Sequence, residues 1–367
     1  MLLPLIALAA QPLPDPDRLI NTVRTLAQLP TRNTSSAELN QAAAWVAGEY
    51  GKLPGVRVEL MHYDVKKGRR VPADKNVVQV VAVLPGEDDQ RIVISGHLDT
   101  INLSADPLTG IAPGADDDAS GVAVALECAR LMSGRKWKHT MVFCAVSGEE
   151  QGLFGSDALA KRAKAEGWKI NAMLNNDIVG TSNGGGNLVR LFSEDPGKTM
   201  SRELARYAEF VDRAISGFKV QLVFRHDRFA RGGDHMSFNQ QGYDAVRFTE
   251  AKEDFRHQHT ADDKPEFVDA KYLAKVCEAN YRVACALADA GDPPTDVKVK
   301  LELSADTTLT WKGGSGPFFV YWRDTTSPGW ESMKAVGDVH QITLKGMSKD
   351  RYVFAVGVAG GVPVEAK

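Results

Sequence analysis

The spacing of apolar residues along the chain switches repeatedly between the strand and the helix period. Residues 76–84 (NVVQVVAVL) and 91–95 (RIVIS) read as two strands, joined by the turn-like PGEDD of 85–89. Val122, Ala125, Leu126, Ala129 and Met132 then recur every three or four positions, as one helix face does, with Asp118 or Ser120 available as N-cap. Residues 140–146 (TMVFCAV) are a continuous apolar run of strand length, expected where helices cover both faces of a sheet. A helix over 156–166 ends at Gly167, and a short strand follows at 172–176. A long helix around 199–215 precedes a strand at 220–224, and residues 243–249 form another strand. After a loop, a last helix runs from about 268 to 290 and closes at Gly291. Strands alternating with helices predict an α/β domain over residues 15–291, with a mostly parallel central sheet flanked by helices.

The pattern changes at Gly291-Asp292-Pro293-Pro294, which opens a linker over 292–296. Beyond it Val297, Val299, Leu301 and Leu303 alternate, and short strands are predicted at 307–311, 318–323, 341–344 and 352–358. Several short strands with Gly/Pro turns predict a small all-β sandwich over 297–367. The stretch resembles a fibronectin type III module, with Trp311 as its core tryptophan and Tyr352 as its corner tyrosine.

Composition narrows the function classes. Hydrophobic residues at 43% and charged residues at 25% are the balance of an ordinary globular protein, which argues against extensive disorder. The 44 basic and 47 acidic residues leave a net charge of −3, so no global field draws the chain to a polyanion and nucleic acid is not an expected partner. No apolar run reaches the roughly 18 residues of a membrane span. Met1 to Ala10 is apolar and ends in Ala7-Leu8-Ala9-Ala10 before a proline-rich segment, like the distal part of a secretory signal, so a secreted or periplasmic location is expected. Cys277 and Cys285 lie eight apart in a predicted helix, about 12 Å of rise and too far to bridge. Cys128 and Cys144 sit in apolar runs and read as buried thiols, and no CxxC pair suggests a cysteine zinc site.

The chemistry gathers at predicted strand ends, where open α/β sheets bind ligands. The strand at Ile92 runs into Gly96-His97-Leu98-Asp99-Thr100, and the loop before the next helix reads PGADDDASG over 113–121. The run at Val142 ends in Ser147-Gly148-Glu149-Glu150, the strand at Met173 in Asn175-Asn176-Asp177, and His259 lies in the loop after Val246. A single histidine or a doubled glutamate at such a place is ordinarily structural; their joint placement carries the signal. Carboxylates and imidazoles converging without cationic partners repel one another, and divalent cations remove the conflict. Mixed imidazole and carboxylate ligation suits zinc.

In order and context, the motifs GHLDT, PGADDDASG, SGEE, NND and HT resemble the co-catalytic dizinc aminopeptidases of metallopeptidase clan MH, typified by bacterial leucyl aminopeptidase. The likeness spans roughly residues 19–290. It implies two zinc ions per chain and a peptide substrate. The middle aspartate, Asp117, would bridge the ions; His97 and Asp177 would complete one, Glu150 and His259 the other. Glu149 would be the general base. Asp99 would be the orienting aspartate, accepting the second ring proton of His97, which is chemically reasonable for an outer partner of a ligand.

The loop at 225–235 carries Arg225, Arg228 and Arg231 ahead of Asp234 and His235. Arg228, Arg231, His235 and His257 are candidates to bind a substrate, the arginines and His257 through its carboxylate. Within the same fold, a mono-zinc glutaminyl cyclase and a carboxypeptidase or dipeptidase acting on acidic residues remain open. A non-catalytic binding protein on this scaffold should have lost ligands that are all present here.

Overall fold

The computed structural model describes residues 12–194 and 199–367. The signal-like stretch Met1 to Ala10 lies outside them. The N-terminal part is a three-layer α/β domain around an eight-stranded sheet. Its strands are β1 (Arg57–Val65), β2 (Lys75–Leu84), β3 (Gln90–His97), β4 (Thr140–Val146), β5 (Lys169–Asn176), β6 (Leu188–Phe192), β7 (Lys219–Val223) and β8 (Ala245–Glu250). Their order across the sheet is β1-β2-β4-β3-β5-β8-β6-β7. The β4-β3-β5-β8 centre is parallel, and β1, β2 and the β6–β8 junction are antiparallel. β2 and β3 are therefore not a hairpin, although a short turn joins them, because β4 inserts between them.

The helices are α1 (Pro16–Ala27), α2 (Glu38–Gly51), α3 (Ser120–Met132), α4 (Glu149–Gly152), α5 (Phe154–Ala165), α6 (Ser201–Asp212), α7 (His235–Gln240) and α8 (Ala270–Ala288). Local sequence explains their starts. Asp15 accepts the Asp17 N–H with Pro16 at the first turn, and Asp269 accepts the N–H groups of Lys271 and Tyr272. Asp118 does the same work for α3 from two residues before its first turn, receiving the Gly121 N–H at 2.9 Å.

Each central strand feeds two cores. On β4, Met141, Phe143 and Ala145 face a core shared with α1, α2, α3 and α8, and Val142, Cys144 and Val146 face one shared with α5 and α7. This is why β4 reads as an unbroken apolar run. All four cysteines are buried and free, and the thiols of Cys128 on α3 and Cys277 on α8 meet at 3.8 Å.

Close packing of α3 on the strand ends needs two glycines. A Cβ on Gly96 would lie 2.3 Å from the Gly121 carbonyl carbon, and one on Gly121 would lie 2.2 Å from the Asn176 oxygen. Both clashes are with main chain, which has little room to move. Gly96→Ala should therefore lose about 1–3 kcal/mol of stability, read as a lower urea midpoint; a wild-type midpoint would show that the contact relaxes without cost.

The C-terminal part has two antiparallel sheets built from β9 (Thr295–Val299), β10 (Thr307–Lys312), β11 (Phe318–Asp324), β12 (Ser332–Gly337), β13 (Gln341–Leu344), β14 (Tyr352–Val358) and β15 (Val364–Glu365). The orders are β13-β10-β9 and β12-β11-β14-β15. Trp311 is buried in the core between them, as expected. Tyr352 is not a corner tyrosine: it is half-buried, and among the described residues its hydroxyl makes no hydrogen bond. The strand predicted through Leu303 stops at Val299, and Leu301 and Leu303 are fully exposed because the chain has left the sheet. The outer face of β11 packs on the α/β domain, where Phe319, Tyr321 and Trp330 surround Phe210 of α6.

Candidate metal centre

Four strand ends deliver the acidic and imidazole groups to one rim. His97 ends β3, Glu149 and Glu150 begin the one-turn helix α4 after β4, Asp177 follows β5, and His259 lies in the loop after β8. Asp117 comes from the loop between β3 and α3. Its carboxylate is central: Oδ1 lies 3.0 Å from His97 Nε2 and Oδ2 lies 3.0 Å from His259 Nε2. His259 Nε2 is also 3.1 Å from Glu150 Oε1, and His97 Nε2 is 3.8 Å from Asp177 Oδ1. The residues singled out in the sequence thus lie together around one aspartate, whose two oxygens face two imidazoles.

The surrounding main chain holds Asp117 in place. Asp263 receives the N–H groups of Asp116 and Asp117, both at 2.9 Å. Asp118 receives those of His97 at 2.8 Å and Ile178 at 3.3 Å, tying β3, α3 and the end of β5 together. Arg32, fully buried, donates to the carbonyls of Leu98 and Gly114 and pins the loop before Asp117.

Electrostatics show how much negative charge has been collected. Burial alone would lower both imidazoles, but Asp118, Asp117 and Asp177 carry His97 well above its ordinary range, and Glu150 and Asp117 carry His259 up to about 11. Burial, reinforced by Asp177, Glu150 and Asp234, likewise raises the Glu149 carboxyl well above the usual carboxylate range.

The donor set fits zinc. Ligand atoms on His97, Asp117 and Glu150 all lie within 4.8 Å of one another. Zinc bonds of 2.0–2.1 Å place tetrahedral ligand atoms about 3.3 Å apart, close to the separations here. Glu150 Oε1 is buried and faces His259 Nε2 at 3.1 Å without a well-aligned hydrogen bond, as two ligands of one ion would.

The geometry corrects several sequence expectations. Asp99 does not hold His97 through its carboxylate. His97 Nδ1 lies 3.0 Å from the Asp99 main-chain oxygen and 3.8 Å from its carboxylate, which instead receives the N–H groups of Glu149 at 3.2 Å and Glu150 at 3.1 Å. The carboxylate is drawn there because the first N–H groups of α4 have no partner within the helix. Asp177 is not without a cationic partner, since Arg247 Nη2 stands 2.8 Å from its Oδ1.

Of the substrate candidates, Arg228 and Arg231 line the cleft, but both guanidinium groups are already paired with Glu253, at 2.6 and 2.7 Å. His235 is fully buried, with Nε2 2.9 Å from the His226 carbonyl, and burial lowers it to about 4, so it is a neutral packing residue. His257 stacks on Phe267 and faces a separate cavity of about 220 Å³, which shares only Asp117 with the cleft. The cleft itself measures about 550 Å³ and is lined by Glu149, Glu150, Asp117, Asp177 and His259, with Leu153 and Met236 supplying apolar surface.

Sequence reasoning missed Arg247, Arg32 and Asp263. An arginine between Val246 and Phe248, inside an apolar strand, was the readable signal for the first, since a charge there must have a buried partner. Arg32 and Asp263 sit among polar residues and gave none.

Comparison with known proteins agrees with the geometry. Residues 79–284 match the model of Peptidase family M28. A protein of Leptosphaeria maculans named "Probable zinc metalloprotease" is 35% identical over 384 residues, covering 92% of this chain and 88% of its own. The LapA aminopeptidase of Legionella pneumophila superposes with a TM-score of 0.62 at 22% identity, over 75% of this chain and 72% of its own. The glutaminyl cyclase of Fimbriiglobus ruber gives 0.60 at 19%, over 73% and 94%. The last two share the fold, which by itself does not separate their activities. With its metal-binding geometry, the family match and a relative of this identity over nearly its whole length, the chain belongs to Peptidase family M28, the zinc metallopeptidases.

Proposed function

We propose that the protein is an aminopeptidase that removes N-terminal residues from peptides, with two zinc ions held on either side of Asp117. The observation that carries this reading is the carboxylate of Asp117 facing an imidazole with each of its oxygens at 3.0 Å. His97 and Asp177 would complete one set, Glu150 and His259 the other. Two zinc ions bound there would lower the pKa of a shared water and polarise the peptide carbonyl. Glu149 lies in the same cleft, and among the described residues no hydrogen bond or ion pair engages its carboxylate, which leaves it free to take a proton from the attacking water and pass it to the leaving amine. Asp99 fixes the main chain of Glu149 and Glu150 together, holding base and ligand in register. The collected carboxylates also favour a substrate that presents a cationic amine.

A chelated and reloaded preparation tests this. Turnover of leucine p-nitroanilide should vanish on chelation, return with zinc to a plateau at two ions per chain, and be abolished by acetylating the substrate amine. Full activity at one ion with cyclisation of glutaminyl peptides would overturn the reading in favour of a cyclase. Cleavage of acetylated peptides from their C-terminus would overturn it in favour of a carboxypeptidase.

A further inference from the structure

Arg70 stands in the connection between β1 and β2 and lines the cleft with Glu149, Glu150 and His259. That connection is built rather than loose. Gly68 and Val71 exchange main-chain hydrogen bonds at 2.8 and 3.3 Å, Val71 is buried in the core, and Asp74 receives both the Lys67 N–H and the Lys66 ammonium at 2.8 Å. Arg70 donates one N–H to the main-chain oxygen of Glu150, and no carboxylate pairs with it among the described residues. The other two arginines of the cleft are neutralised by Glu253. A preorganised guanidinium with open donors, facing a reaction cleft, is a carboxylate receptor.

Its place beside the metal group limits what it grips. Arg70 bonds the main-chain oxygen of the residue whose carboxylate faces His259, and four bonds of about 1.5 Å keep that carboxylate carbon within at most about 6 Å of the carbonyl carbon beside the guanidinium. That is the reach from a cleaved carbonyl to the carboxylate of the next residue. We propose that Arg70 binds a carboxylate on the residue following the scissile bond and so directs the enzyme to dipeptides, or to longer peptides with an acidic second residue. The proposal rests on the aminopeptidase reading above.

Three substrates separate the possibilities on the zinc-loaded full chain: Leu-Ala, Leu-Ala-amide and Leu-Asp-amide. The wild type should favour Leu-Ala over Leu-Ala-amide by about 10–100-fold in kcat/KM, mainly through KM, as expected for one charge-assisted pair. Arg70→Ala should bring that ratio close to one. A preference for Leu-Asp-amide that Arg70→Ala removes would place the carboxylate on the side chain instead of the terminus. A wild type without either preference, or a variant that keeps the wild-type ratios, overturns the proposal. An equal loss on all three substrates also overturns it, because Arg70 would then only brace the Glu150 main chain. A wild type that cleaves none of them overturns the aminopeptidase reading itself, and this proposal with it.

Discussion

Glu149→Ala should keep its zinc and lose turnover by about 10²–10⁴-fold, the usual contribution of a positioned general base. Three features of the site point to this separation. Glu149 follows Gly148 at the start of a one-turn helix, and its neighbour Glu150 turns toward His259 at 3.1 Å while Glu149 stays in the cleft. The mutually close donors are His97, Asp117 and Glu150, so removing Glu149 leaves that set intact. The main chain at this point is held by Asp99 through the N–H groups of both glutamates, a contact an alanine retains. Zinc content by elemental analysis and kcat on leucine p-nitroanilide are the two measurements. Near-normal kcat would remove Glu149 from the proton path, and loss of zinc together with activity would make it a ligand.

Most of the residues that collect at the metal centre were legible because they end or follow a strand, and Asp117 because it sits in the acidic loop between β3 and α3. His97, Glu150, Asp177 and His259 terminate or follow β3, β4, β5 and β8, four strands that are neighbours in the sheet, and an apolar run ending in a polar group is visible without coordinates. The order of those strands was not visible. That β4 lies between β2 and β3 depends on pairing between distant segments, which local periodicity does not report. The edge strand β1 escaped for a related reason: its burial alternates only in its second half, where Met61, Tyr63 and Val65 turn inward, while in its first half Arg57 and Glu59 hold that face and the apolar Val58 and Leu60 lie on the other. The alternation of Val297 to Leu303 misled in the opposite direction, because a period of two says which residues share a face but not whether another strand is there to cover it. The candidate substrate arginines failed on electrostatics. Arg228 and Arg231 looked free in a basic loop, but Glu253 arrives from a segment some twenty residues later and takes both.

Arg247→Met should destabilise the fold by about 3–5 kcal/mol, because it strands two buried carboxylates at once. Arg247 is fully buried on β8, with Nη2 2.8 Å from Asp177, Nη1 2.9 Å from Asp227, and a further bond to the Gly232 carbonyl at 2.6 Å. Methionine fills much of the same volume, so the loss reports charge more than a cavity. Two further readings distinguish this cause from poor packing. Burial would raise Asp227, but Arg247 and Arg228 hold it far below its ordinary value of 3.8. A carboxyl depressed on folding adds stability that is present above its unfolded pKa and is lost as pH falls through the folded one. The wild type should therefore lose urea stability on acidification below about pH 4 at this pair, and the variant should show a shallower slope there. Zinc gives the second reading. Asp177 faces the metal centre, so a bound cation stands in for part of the missing guanidinium charge, and zinc should raise the urea midpoint more in Arg247→Met than in the wild type. Equal zinc increments and parallel acid slopes would show instead that the loss is steric, and that Arg247 does not set the charge balance behind the metal centre.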